Sequence, residues 1–246
     1  MADLDALINE LVLANRILAG QGVVDAFGHV SVRHPEKPDR FFLSRSRSPE
    51  LVEHEDIMEF GMDGQVTDGR TDPAYHERFI HAAVYEANPE INAVVHSHAL
   101  DVLPFTISSV PLQPCIHTAS QCGGTIPVWD IRDTFGDTGL LVANMDHGRD
   151  LAKTMGANRV ALMRGHGSVV VGEKIQIAVG RTVYLDHNAK MQYQAMMMAG
   201  PNGSIVYMDE AEVDANVVWQ EYVRSWDLWK KKWQPRLAAE KALRQG

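Results

Sequence analysis

The stretch INAVVHSHA, residues 91–99, decides how the rest of the chain is read. Its β-branched, continuous apolar run predicts a buried strand, and such a strand delivers its last residues to the sheet end where functional side chains often sit. His96 and His98 stand two apart. Alternation along a strand puts both on one face, where two imidazoles can bind one cation. Alone, such a pair in a chain of 11 histidines is more often chance, with one or both rings simply hydrogen-bonded in the core. A third ligand must come from elsewhere, and His166 is the leading candidate. In RVALMRGHGSVVVG, residues 159–172, two strands flank Gly165-His166-Gly167, and the glycines let the backbone turn sharply enough to bring the ring inward. Three neutral histidines leave coordination positions open for substrate or water.

Working outward, the segment before the strand, AYHERFIHAAVYEANP (74–89), predicts a helix opened by Asp72-Pro73, with Phe79, Ala82, Ala83 and Tyr85 on its apolar side and Glu77 in its first turn. HVSVRH and RFFLS predict an antiparallel pair of strands, and DIMEF a strand running into a tight turn at Met62-Asp63-Gly64. Ser48-Pro49-Glu50 has the chemistry of a short helix start. Leu4, Leu7, Ile8, Leu11, Ile17 and Leu18 recur at helical spacing, with Gly20 and Gly22 as a stop. Downstream come a short helix at DVLPFTISS, a turn at Gly123-Gly124, a strand at IPVWD, a helix leading to Gly156, and a long helix from Ile175 to Gly200. Trp219, Tyr222, Trp226, Trp229 and Trp233 repeat at helical intervals near the end, which predicts packing or an interface. Met196-Met197-Met198 fits adaptable packing, and Lys230-Lys231-Lys232 a solvated last-turn face. There is no repeat or linker, so a single domain over residues 1–246 is expected.

Composition narrows the function. With 23 Lys and Arg against 32 Asp and Glu, the formal charge is −9, which repels phosphate backbones and anionic lipid heads. Nucleic acid and membrane surfaces are therefore not expected partners. No apolar run reaches the roughly 20 residues that span a bilayer, and the acidic N-terminal segment reads as a helix rather than a secretory signal. Cys115 and Cys122 are too few for a disulfide framework, which fits a cytoplasmic setting.

Two tempting motifs fail. His76-Glu77-x-x-x-His81 misses the zincin spacing, because five residues on a helix set the two rings about 140° apart. Gly165-His166-Gly167 with Gly172 is not a dinucleotide fingerprint, since its third glycine is displaced.

Four ordered motifs, GHVSVR (28–33), YHERF (75–79), AVVHSHA (93–99) and MRGHG (163–167), together resemble the class II aldolase/adducin family. The resemblance covers nearly the whole chain. It implies an α/β, three-layer fold with a central, mainly antiparallel sheet and helices on both faces, a homotetramer, and a divalent cation (zinc, manganese, cobalt or iron) held by His96, His98 and His166. By the same resemblance Glu77 matches the residue that gives or takes a proton.

The chain departs from the sugar-phosphate members of that family. Where they carry an Asn, a Thr- or Ser-rich turn and paired serines, this chain has His29, Ser44-Arg45-Ser46-Arg47 and Tyr75-His76. With the small hydroxyl donors largely gone a phosphorylated sugar fits poorly, and the guanidinium and imidazole in their place suit bidentate capture of a carboxylate and stacking on a flat ring. The pattern resembles decarboxylases of hydroxylated aromatic or pyridine dicarboxylates, and predicts a small carboxylate substrate. Glu77 is the first candidate for the acid that protonates the ring, followed by His29 and His117, which precedes Thr118 where the aldol branch has a Tyr. Ser44, Arg45, Arg47, Tyr75 and His76 are candidate substrate contacts. The alternatives are aldol or retro-aldol cleavage or epimerisation of a small hydroxy acid or sugar derivative, and a non-catalytic, adducin-like assembly module.

Overall fold

The computed structural model of the chain describes residues 4–124, 126–217 and 222–245. Its elements, in order, are α1 (Leu4–Gly20), β1 (His29–Arg33), β2 (Arg40–Ser44), β3 (Ile57–Gly61), α2 (Arg78–Ala87), β4 (Ala93–Ser97), α3 (Leu103–Ile107), β5 (Val128–Trp129), α4 (Arg132–Phe135), α5 (Met145–Met155), β6 (Val160–Met163), β7 (Gly167–Gly172), α6 (Ile175–Ala199), α7 (Glu210–Val217) and α8 (Val223–Gln245). Short 3-10 helices at Pro49–Leu51 and His54–Asp56 lie in the β2–β3 connection, and one at His117–Cys122 lies between α3 and β5.

The seven strands form one sheet in the order β3-β2-β1-β4-β7-β6-β5. Every pairing is antiparallel except β5 with β6. Strand β4 lies at the centre, so its residues are buried from both sides, which is why 93–97 reads as an unbroken apolar run up to His96.

Alternation divides the strand side chains between two cores. Val30, Val32, Phe42, Val95, Leu162 and Val170 meet α1, α6 and α8 on one face. Phe41, Leu43, Phe60, Val94, Ala161 and Val169 meet α2 and α5 on the other. This is the three-layer α/β arrangement, with each buried Leu, Val or Phe contributing about 1.5–3 kcal/mol of transfer free energy. Trp226, Trp229 and Trp233 of α8 are buried in the first core and Tyr222 is buried just before that helix, whereas Trp219 lies outside the described residues.

One predicted boundary moves. The helix expected from Asp72-Pro73 begins at Arg78, and Glu77 is its N-cap rather than part of its first turn. Pro73 does not start a helix because the strand-like segment around it is already paired: Ser46 N–H donates to the Pro73 carbonyl at 2.7 Å, and Ala74 bridges to Arg45. Among the described residues, no helix is long and apolar enough to cross a membrane.

Candidate metal centre

The register of the sheet assembles the site. His29 of β1 pairs directly with His96 of β4, and Ser168 of β7 pairs with Ser97, so the end of β4 is flanked by one histidine strand and by the turn that carries His166. His96 is fully buried and points to the α2 face. His98 sits just past the strand end. The two Nε2 atoms are 2.9 Å apart, and the His166 ring lies 5.0 Å from each of the other two, centre to centre.

The glycines around His166 have separate tasks. Gly165 has φ +63°, the left-handed region that a side chain resists. Gly167 leaves room for its neighbours: a Cβ there would run into the Ser97 carbonyl oxygen and come within 2.9 Å of the His98 ring. The Gly165 N–H donates to Thr106 Oγ1 at 3.1 Å, which fastens the turn to α3.

Glu77 completes the cluster. As an N-cap it makes no capping bond with its side chain. Instead Oε1 accepts the Val142 N–H at 3.2 Å and lies 3.3 Å from His166 Nε2, while Oε2 lies 3.4 Å from His96 Nε2. Burial works against its charge, but the His96 and His166 imidazoles alongside hold its carboxyl well below the usual carboxylate range. Burial, reinforced by His96 and His166, pulls His98 down to about 4. One ligand atom from each of Glu77, His96, His98 and His166 falls within 4.8 Å of the others.

The donor chemistry fits a divalent cation. His96 Nδ1 is 3.1 Å from the Ser168 carbonyl and His166 Nδ1 is 3.0 Å from the Leu140 carbonyl. A carbonyl only accepts, so each Nδ1 carries a proton and each Nε2 is the ring nitrogen turned inward. With a cation between them these nitrogens would each offer a lone pair beside the Glu77 carboxylate, and the positive charge would hold the donors together. Neighbouring ligands of one zinc ion, at about 2.0–2.1 Å from it, are separated by roughly the distances found here.

A second group of polar residues adjoins the cluster. The His29 ring lies 5.1 Å from His96, 4.6 Å from Tyr75 and 4.8 Å from His81. Burial, then the His81 and His96 rings, holds His29 well below its ordinary value, and burial with His96 takes His81 down to about 3. Both are neutral. Burial raises Tyr75, whose hydroxyl donates to the Arg47 carbonyl. Phe27, exposed, lies 6.5 Å from His98 and adds a flat ring on another side.

The remaining candidates fall elsewhere. Ser44 is fully buried and donates to Tyr75 Oη at 3.2 Å, so it supports Tyr75 and does not face a ligand. Arg45 and Arg47 are turned onto the buried carboxylate of Asp56, at 2.6 and 2.8 Å, instead of standing open for a substrate carboxylate. His76 is exposed beside Glu77. His117 is exposed on the 3-10 helix that packs against α6 and α7, on the other side of the sheet from α2, and is not brought to the cluster. Sequence reasoning missed Asp56, Ser31, His81 and Tyr85. The signal for the last two was present: Glu77, His81 and Tyr85 recur every four residues, one stripe of a helix facing β1.

The fold and the donor set together define an α/β protein with a candidate divalent-metal centre at the end of its central strand. The chain belongs to the family described as the Class II Aldolase and Adducin N-terminal domain, whose model matches residues 9–193. It is 37% identical over 235 residues to the decarboxylase tropJ of Talaromyces stipitatus, covering 87% of this chain and 88% of that protein. It is 28% identical over 218 residues to a 3,4-dihydroxyphthalate decarboxylase of Arthrobacter keyseri, covering 82% and 84%. Among solved structures, the L-fuculose 1-phosphate aldolase of Glaciozyma antarctica superposes with a TM-score of 0.74 at 22% identity, covering 93% of this chain and 90% of that one, a likeness of fold. The relatives are decarboxylases and the structural neighbour an aldolase, which are lyases.

Proposed function

We propose that the protein is a divalent-metal-dependent decarboxylase of a hydroxylated aromatic or heteroaromatic acid. The observation that carries the reading is the convergence of Glu77, His96, His98 and His166 at one point, in a chain whose relatives by sequence include proteins named decarboxylases. A cation bound there supplies positive charge that draws electrons from an oxygenated substrate.

The protein's own residues account for the rest. Phe27 and Tyr75 flank the cluster with flat faces that suit an aromatic ring. With the substrate hydroxyl acidified by a bound cation, Glu77, a weak base at its depressed pKa, would take that proton and become the acid. As the carbon–carbon bond to the carboxylate breaks, its electron pair stays on the ring carbon, CO2 leaves, and Glu77 returns the proton to that carbon. The buried surroundings of Glu77, only 8% exposed, keep bulk water from exchanging that proton first.

The test is CO2 release from a panel of ortho-hydroxylated aromatic acids that includes 3,4-dihydroxyphthalate, before and after dialysis against a chelator. Release that chelation abolishes and zinc, manganese, cobalt or iron restores is the expected result. Aldehyde release from sugar phosphates with no CO2 from any aromatic acid would overturn it.

A further inference from the structure

Behind the candidate metal centre runs a line of four buried polar side chains that metal binding does not use. His29 and Ser31 alternate on β1, and His81 and Tyr85 stand one turn apart on α2, so the two pairs face each other across one interface. They are 3%, 0%, 0% and 2% exposed. His29 Nδ1 is 2.6 Å from His81 Nε2, His81 Nδ1 is 2.6 Å from Ser31 Oγ, and Ser31 Oγ is 2.8 Å from Tyr85 Oη.

We infer that Tyr85, Ser31 and His81 are positioning residues that fix His29 as the tautomer with its proton on Nε2, so that His29 offers the site a hydrogen-bond donor for a substrate oxygen.

The direction of the line follows from counting protons. Among the described residues the Tyr85 hydroxyl is hydrogen-bonded to Ser31 Oγ, which is therefore the acceptor of the phenol proton. Ser31, receiving that proton's bond, donates its own to His81 Nδ1. A neutral His81 then carries its proton on Nε2 and donates to His29 Nδ1. A neutral His29 is left with its proton on Nε2, the ring nitrogen outside the line. Reversing every bond strands the Tyr85 O–H in the core, and an unpaired buried donor is costly enough to favour the first arrangement roughly tenfold or more. The arrangement moves no net charge and needs no co-reactant.

The tautomer itself is independent of the reaction, while its value as a donor rests on the decarboxylase reading. It is measured on the zinc-loaded full chain with 15N-labelled histidine, in two-bond 15N–1H correlation spectra, His29 being assigned by its loss in His29→Asn. The expected result is a protonated Nε2 and an unprotonated Nδ1. Ser31→Ala, which cuts the line at its middle, should mix the two tautomers of His29, and Ser31→Thr, which keeps the hydroxyl, should retain the wild-type pattern. A protonated Nδ1 in the wild type, or a His29 signal unchanged by Ser31→Ala, would overturn the inference. In turnover, Ser31→Ala should lower kcat/KM about twofold, because mixing the tautomers about halves the fraction of His29 with its proton on Nε2. An enzyme that releases no CO2 from any acid would defeat the functional reading and leave the tautomer measurement standing.

Discussion

The two faces of the same central strands do opposite work. On the face toward α1 and α6, β1 and β4 present Val30, Val32 and Val95; one residue along, on the face toward α2, they present His29, Ser31 and His96. The first face is mostly apolar, with Ser97 and Ser168 paired to each other at 3.2 Å at its end. The second is apolar in its middle and becomes polar toward the end of β4, where imidazoles, a carboxylate and hydroxyls replace methyl groups. Volume alone would mislead here. A groove of about 1030 Å³ opens between α1 and α8, lined by Leu7, Leu13, Arg16 and Trp226, on the apolar side of the sheet. The convergent ligand atoms lie on the other side. The difference teaches that stability and chemistry are separated in this fold by a single step along a strand, so changes on either face should report on different properties.

Leu162→Ala breaks the comparison from the apolar side and should give the largest effect. Leu162 is fully buried in the core on this face, so truncation should cost about 2–5 kcal/mol in denaturant unfolding. Zinc affinity of the folded protein should be unchanged; a parallel loss would show that the two faces are not separate. Gly167→Ala sharpens the comparison from the polar side. Its new methyl group meets the Ser97 carbonyl and the His98 ring, and should weaken zinc binding about 10–100-fold, the range seen when support for a ligand is lost. Unaltered affinity in a calorimetric titration would mean the turn yields freely. Lys37→Ala serves as the outer reference. Lys37 is 54% exposed and pairs with Glu59 at 3.1 Å, so its loss should cost less than about 1 kcal/mol and leave zinc binding intact.

How much of this was legible in the sequence depended on whether a pattern was local. The strands at 93–97, 160–163 and 167–172 were readable because burial on both faces leaves continuous apolar runs, and glycine on either side of His166 marked a forced turn. His96, His98 and His166 could be named as ligands because alternation and that turn aim them, and the four donor atoms do meet. Glu77 was placed inside a helix because Pro73 looks like a helix start; the pairing of that segment with Arg45 and Ser46 is a long-range fact with no local trace. Arg45 and Arg47 looked available because Asp56, 11 and 9 residues away, carries no mark of burial in the sequence. The line through Ser31, His81 and Tyr85 was hidden for another reason. Each residue has the spacing of an ordinary buried face, and only the contact of β1 with α2 shows that the polar positions coincide.

The central claim is that one divalent cation binds per chain between Glu77, His96, His98 and His166. Isothermal titration of zinc into chelator-treated protein tests it most directly, with His96→Ala and His166→Ala as partners in the same experiment. The account predicts one tight site per chain in the wild type and its loss in both variants, each still folded by circular dichroism. A wild type that takes up no zinc, or variants that bind it as tightly as the wild type, would contradict it.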